Sequence, residues 1–242
     1  GYATTLLIMA VMVAMMVPVA AAVAGRRTAD DAPAEDQSMN EAVREAAKHK
    51  GFLLLITGFF VCGFQTMFIG AHLPAYLVDK GGSAALGAVA LATIGLFNVI
   101  GCFIWGAAGA RFSKKYLLAA LYTARSLGMA AFILLPVSEI SVILFSAVMG
   151  LLWLGTVPLT SGLVAQIFGT QYMAMLYGFV FLNHQMGSFL GIWLGGRLFD
   201  STGSYDTIWW VAIALGLVAA LLHFPIDERA VPRIAGQPQT GG

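Results

Sequence analysis

Residues 84–115 read AALGAVALATIGLFNVIGCFIWGAAGARFSKK. The stretch 84–109 carries no charged side chain, and then Arg111, Lys114 and Lys115 follow in close order. A hydrocarbon layer about 30 Å thick is crossed by about 20 apolar residues in an α-helix. The run is too long for a buried strand and shows no alternation of period two. It therefore reads as a membrane-spanning helix that ends in a short basic turn. The pattern recurs at 2–24, 52–78, 116–135, 139–166, 173–197 and 207–225. The expected fold class is an all-α membrane protein with seven transmembrane helices.

The composition supports this. Apolar residues make up 59% and charged residues 10%, with a mean hydropathy of +0.83. Soluble domains carry about 25% charged residues, so lipid must solvate much of this surface. No basic block or stripe points to nucleic acid. Cys62 and Cys102 lie inside apolar runs and read as small buried hydrophobes, not as a disulfide. His49, His72, His184 and His223 show no ligand spacing. There is no phosphate-binding loop, dinucleotide fingerprint, HExxH or CxxC. The chain reads as no enzyme, with no metal or cofactor. Its first apolar run is no signal peptide, because Arg26 and Arg27 follow it and no base precedes it. The abrupt start at Gly1 suggests that a natural N-terminus lies upstream.

The connections are short except for residues 25–50, which hold six carboxylates and five Lys or Arg. This segment reads as a solvated linker. Residues 39–48 could form a short helix, with Glu41/Arg44 and Glu45/Lys48 spaced i, i+3. With the linker placed in the cytoplasm, ten Lys and Arg fall inside and two, Lys80 and Arg197, fall outside. Basic residues favour the cytoplasmic side, so the C-terminal tail is expected there too.

Polar residues inside spans are costly and mark candidate sites. Gln65 and Thr66 lie mid-span in 52–78, and Asn98 lies mid-span in 84–109. Trp153 and Thr156 lie mid-span in 139–166, with Thr160 and Ser161 one turn on. Asn183, His184 and Gln185 lie mid-span in 173–197. Four helices thus offer polar groups at one depth, where transporters bind substrate. The competing reading is interhelical hydrogen bonding, evenly balanced for the hydroxyls. For Asn183-His184-Gln185 a cavity is favoured, because three adjacent side chains span too wide an arc to face one neighbour. His184 could carry a proton or donate to an anion. Arg125 is the one formal charge within a span; it could attract a carboxylate, bond carbonyls of a neighbouring helix, or snorkel. Gly187, Gly191 and Gly195 form an i, i+4 ridge that reads as helix packing. Pro74 and Pro158 could each kink a span and free carbonyls.

The turn Gly106-Ala-Ala-Gly-Ala-Arg111-Phe-Ser-Lys114-Lys115 resembles the GxxxDRxxRR signature of the major facilitator superfamily, with Ala110 at the Asp position. Gly195–Tyr205 (GGRLFDSTGSY), His72–Gly81, Gly95–Gly101 and Gln166–Gly169 resemble the monocarboxylate transporter-like branch. The resemblance implies twelve helices in two halves. Residues 1–25 would then be the sixth helix, 26–50 the central cytoplasmic loop, 51–225 the C-terminal six-helix half, and 226–242 a cytoplasmic tail. The missing N-terminal half, the bilayer and a small-molecule substrate are the implied partners, and the cell (inner) membrane is the implied location. Gly106, Arg111, Lys114 and Lys115 would form a gating turn lacking its usual carboxylate. Arg125 would sit on a peripheral helix, which favours its structural reading. The eighth helix (84–109) lacks the basic residue found in carboxylate carriers of that branch, so His184 or the missing half would supply the donor. The implied activity is secondary active transport by alternating access, with a small organic anion and proton coupling in view. Drug efflux within the same superfamily is one rival. A seven-helix receptor or retinal protein is another, disfavoured because the last span has no Lys for a Schiff base.

Overall fold

The computed structural model of the chain describes residues 2–23 and 37–235. Residues 24–36, with Arg26, Arg27, Asp30, Asp31 and Pro33 of the linker, and residues 236–242 of the tail lie outside the described residues. The chain divides into two compact units, Gly1–Gln37 and Ser38–Gly242. In the first, α1 (Tyr2–Val23) runs for 22 residues with Pro18 inside it. It is apolar along nearly its whole length, as a helix facing lipid or a protein interior must be.

The second unit is a helical bundle. It comprises α2 (Met39–Lys48), α3 (Lys50–Asp79), α4 (Ala84–Arg111), α5 (Lys114–Leu134), α6 (Glu139–Leu152), α7 (Thr156–Phe168), α8 (Met173–Thr202), α9 (Asp206–His223) and the single turn α10 (Pro232–Ala235). No strand occurs among the described residues. Among the described residues, five segments are long and apolar enough to cross a membrane by length and composition: α3, α4, α5, α6–α7 together, and α9. At 30 residues α8 has the length, but Asn183, His184 and Gln185 interrupt its apolar run.

The bundle is organised around α3, which packs on α8, α9 and α4, while α4 packs on α6 and α5 on α9. The α3–α8 contact is glycine-made. A Cβ on Gly187 would collide with the Phe60 carbonyl, one on Gly191 with the Phe64 carbonyl, and one on Gly63 with the His184 carbonyl. The ridge read from the sequence therefore brings two backbones together, as small residues do in lipid.

Two expectations are corrected. The stretch 139–166 is not one helix: α6 ends at Leu152, and α7 starts at Thr156. Pro158 is the cause, since it has no N–H for the Leu154 carbonyl and its ring crowds the preceding turn. Pro74, by contrast, sits inside a continuous α3, nested against Gly87 of α4. The second half of the linker is also ordered. Ser38 and Glu41 form a reciprocal capping box at the start of α2. Glu45 pairs with Arg233 at 3.3 Å, across 188 residues of chain.

Residues 226–235 form a strap across the end of the bundle that carries the α4–α5 turn. Val231 N–H donates to the Ile167 carbonyl at 3.0 Å. Glu228 accepts from the Ser113 hydroxyl at 2.6 Å and the Lys115 amide at 2.9 Å, placing a carboxylate on the N-terminus of α5.

Candidate functional site

Two apolar clusters fill the second unit, and a polar layer separates them. Along α3, the first cluster ends at Cys62 and the second begins at Phe64; Gln65 and Thr66 follow, both fully buried. Along α5, Tyr122 belongs to the first cluster and Met129 to the second, with Arg125 and Ser126 between them. Along α8, Val180 belongs to the first and Leu194 packs on the second, with buried His184 and Ser188 between. Thr156 occupies the same position at the α6–α7 break. Gln65, Thr66, Arg125, Ser126, Thr156, His184 and Ser188 thus lie between the two clusters.

Arg125 organises it. The side chain is fully buried. One terminal nitrogen donates to the Leu152 and Trp153 carbonyls at 2.6 and 2.8 Å. The other reaches Gln65 Oε1 at 3.3 Å and Cys62 Sγ at 3.5 Å. The Tyr122 ring lies 5.5 Å from the guanidinium carbon, and its hydroxyl donates to the Gly58 carbonyl at 2.8 Å. Gln65 Nε2 donates to the Ala212 carbonyl of α9 at 2.8 Å. Cys62 Sγ and Thr156 Oγ1 share a hydrogen bond of 3.2 Å. Thr66 turns back onto its own helix, donating to the Cys62 carbonyl at 2.8 Å.

His184 closes the layer from α8. Its ring stacks on Phe181 at 5.3 Å and tilts against Phe59 at 4.9 Å. Nδ1 lies 3.1 Å from Gln185 Oε1 and 3.4 Å from Ser188 Oγ. Nε2 is buried without a hydrogen-bond partner, as are the hydroxyls of Tyr177 and Thr160. Buried polar atoms in proteins are nearly always paired; these three, together with Arg125 Nε and Ser126 Oγ of the same layer, have hydrogen-bonding capacity to spare.

The structure thus gathers Gln65, Arg125, Thr156 and His184 in one layer. Asn98 and Trp153 go instead to the α6–α7 break. Asn98 Oδ1 accepts from Leu154 N–H at 3.0 Å, and Trp153 caps α6 with its carbonyl on Arg125. Asn183 is half-buried and bonds the Phe179 carbonyl of its own helix at 3.3 Å. Gln185 is exposed. In the basic turn, Lys114 Nζ donates to Gln166 Oε1 at 2.8 Å and Lys115 Nζ to the Ile226 carbonyl at 2.7 Å. Gly106 lies near Pro158, and Arg111 is exposed. Cys62 and Glu228 were not selected from the sequence. For Cys62 a signal existed: it shares the α3 face of Gln65 and Thr66 at i+3 and i+4. No local pattern could have joined Glu228 to Ser113, 115 residues away.

The sequence pattern of the Major Facilitator Superfamily covers residues 1–192. The chain belongs to the Major Facilitator Superfamily. It is a multi-pass membrane protein and a transporter-family chain, not an enzyme. It is 30% identical over 183 residues to YcxA of Bacillus subtilis (strain 168), described as an uncharacterized MFS-type transporter; the match covers 73% of this chain and 44% of that protein. It is 24% identical over 189 residues to the oxalate:formate antiporter of Oxalobacter formigenes, covering 77% of this chain and 44% of that protein. The chain spans less than half the length of these curated relatives. The turn Gly106–Lys115 has no carboxylate of its own; at this end of the bundle Glu228 of the strap supplies one to Ser113 and Lys115.

Proposed function

We propose that this chain forms part of a secondary active transporter of small organic anions that works by alternating access. In this reading α1 is the sixth helix. Residues 51–225 are the C-terminal six-helix half, making seven spans in all, and residues 226–242 are a cytoplasmic tail. The N-terminal half of the same transporter would face α4 and α8, whose outward surfaces carry Leu96, Phe103, Phe181, Leu182, Phe189 and Trp193. The protein would sit in the cell membrane with its linker and tail in the cytoplasm, on the evidence of the ten-to-two excess of Lys and Arg.

The observation that carries the anion reading is the sign of the polar layer. Among the described residues, Arg125 is the one buried formal charge, and no buried carboxylate faces it. Carbonyl dipoles orient the guanidinium without cancelling its charge, and a low-dielectric surround extends its field. An anion entering this layer meets a positive potential. His184 Nε2, Tyr177 OH and Thr160 Oγ1 are the candidate contacts, with Gln65, Thr66 and Thr156 supporting them. The printed name of the Oxalobacter relative points to the same substrate class. The monocarboxylate-like branch and proton coupling through His184 are finer parts of this proposal.

The test is uptake of labelled oxalate, formate and lactate by the full-length transporter in proteoliposomes, with and without a pH gradient. Saturable uptake of at least one carboxylate, competed by other small carboxylates and not by amines of similar size, is expected. Saturable uptake of organic cations with no carboxylate uptake would refute the anion reading in favour of efflux of other solutes.

A further inference from the structure

The α6–α7 break leaves backbone groups that a continuous helix would have paired, and hydrocarbon offers them no water. Three side chains from two neighbouring helices take them. Trp105 Nε1–H of α4 donates to the Leu151 carbonyl at 2.9 Å. Arg125 of α5 donates to the Leu152 and Trp153 carbonyls. Asn98 of α4 accepts from Leu154 N–H. Glycines bring these partners close: a Cβ on Gly155 would collide with the Trp105 ring, and one on Gly101 with the Leu151 carbonyl. The α6 side of the break, residues 151–154, is therefore capped from outside, as a built feature of the bundle.

We infer that Arg125 is a positioning residue for transport: its guanidinium clamps the free carbonyls ending α6, and so holds the break and Thr156 in register with Cys62 and Gln65 on α3. The inference rests on the transporter reading. Its terminal nitrogens are spent on protein acceptors, so a substrate carboxylate would have to displace backbone carbonyls to reach them; Nε alone is unpaired, and it is buried in a fully buried side chain. The side chain sets the charge of the layer without touching the solute. The planar fork matters, because one nitrogen spans two successive carbonyls while the other reaches α3. A Lys ammonium keeps the charge but is a compact point on a flexible stem. α5 packs on α9 and also on α6 and α7, and within the polar layer this clamp ties it to the break. Removing Arg125 would free the break to move relative to α3 and expose Cys62, which is sealed beneath it.

The experiment uses Cys62 as the reporter in the full-length protein in membranes, with the other cysteines replaced by Ser. The rate of N-ethylmaleimide labelling is compared for the parent, Arg125→Met, Arg125→Lys and Asn98→Ala. Loss of the clamp should speed Cys62 labelling by about tenfold or more in Arg125→Met, the effect on local opening of losing a charge-assisted hydrogen bond. Arg125→Lys and Asn98→Ala should fall between that variant and the parent. A second reporter, Leu73→Cys, sits fully buried in the other apolar cluster and should stay protected. If Arg125→Met does not accumulate, Arg125→Lys carries the same comparison. Parent-like labelling of Cys62 in the Arg125 variants would overturn the inference. So would equal acceleration at Leu73→Cys, which would mean general loosening. In uptake assays, Arg125→Lys should lower the maximal rate and leave KM nearly unchanged; a rise in KM alone would make Arg125 a substrate contact and overturn the proposal. Labelling needs no substrate, so a failure of anion uptake sinks the transport reading and leaves this result to be judged independently.

Discussion

The Gly187→Ala variant tests the helix contact that brings His184 to the polar layer. A Cβ at Gly187 would collide with the Phe60 carbonyl oxygen and lie 2.9 Å from its carbon and 3.1 Å from Phe64 N. Carbon contacts are optimal at about 3.5–4.0 Å, so α8 must retreat by roughly 0.5–1 Å, forfeiting a quarter to a half of each affected dispersion well. The obstacle is backbone on a 30-residue helix, with no side-chain rotamer to absorb it. Overpacking of this kind costs about 1–3 kcal/mol. Replacing a helical Gly with Ala returns about 1 kcal/mol of propensity, leaving a net loss of up to about 2 kcal/mol. The control is Gly128→Ala on α5, where the new Cβ would meet only Val148 Cγ1 at 3.6 Å, an ordinary contact. Reversible unfolding of the purified full-length protein in mixed micelles gives the free energy directly. Gly187→Ala should be destabilised, and Gly128→Ala unchanged or slightly stabilised. If Gly187→Ala is as stable as Gly128→Ala, the close approach of α3 and α8 is not what holds this contact.

Glu228→Gln removes the carboxylate from the N-terminus of α5 and should cost about 1–2 kcal/mol, combining the helix-end charge with a weakened charge-assisted bond. The same unfolding titration checks it, and greater protease sensitivity of residues 226–235 should accompany the loss. The cap of α2 should depend on acid: the Ser38 amide, and next its hydroxyl, hold the Glu41 carboxyl below its ordinary range. That contribution is complete above the ordinary Glu pKa and is lost as pH falls through the lowered folded value. Hydrogen exchange of the α2 amides, corrected for intrinsic rates, should show protection falling as the pH drops below the ordinary Glu range.

The spans were legible because a membrane imposes one long, charge-free pattern on each helix, as 84–109 illustrates. The depth of the polar groups was legible too, because a position's distance from its helix midpoint translates directly into height. What each polar group does at that depth was not. Asn98 and His184 look alike in the sequence, yet Asn98 bonds a backbone amide 56 residues away, while His184 keeps a buried nitrogen unpartnered. Pro158 announced a disturbance without saying that the chain would break at Trp153–Gly155. The break depends on Arg125, Trp105 and Asn98 from two other helices. A helix over 39–48 was legible, but its long-range anchor was not, and the strap was missed for the same reason: the partners, Arg233 for Glu45 and Ser113 for Glu228, are far away in sequence.

The central claim is that the polar layer closed by His184 carries a small organic anion through the membrane. Its most direct test is the initial rate of labelled carboxylate uptake by the full-length transporter in proteoliposomes, compared for wild type and His184→Ala at equal inserted protein. The account predicts saturable wild-type uptake that falls by about tenfold or more in the variant, on the scale of losing a buried hydrogen bond to a charged group. Wild-type rates in His184→Ala would contradict it.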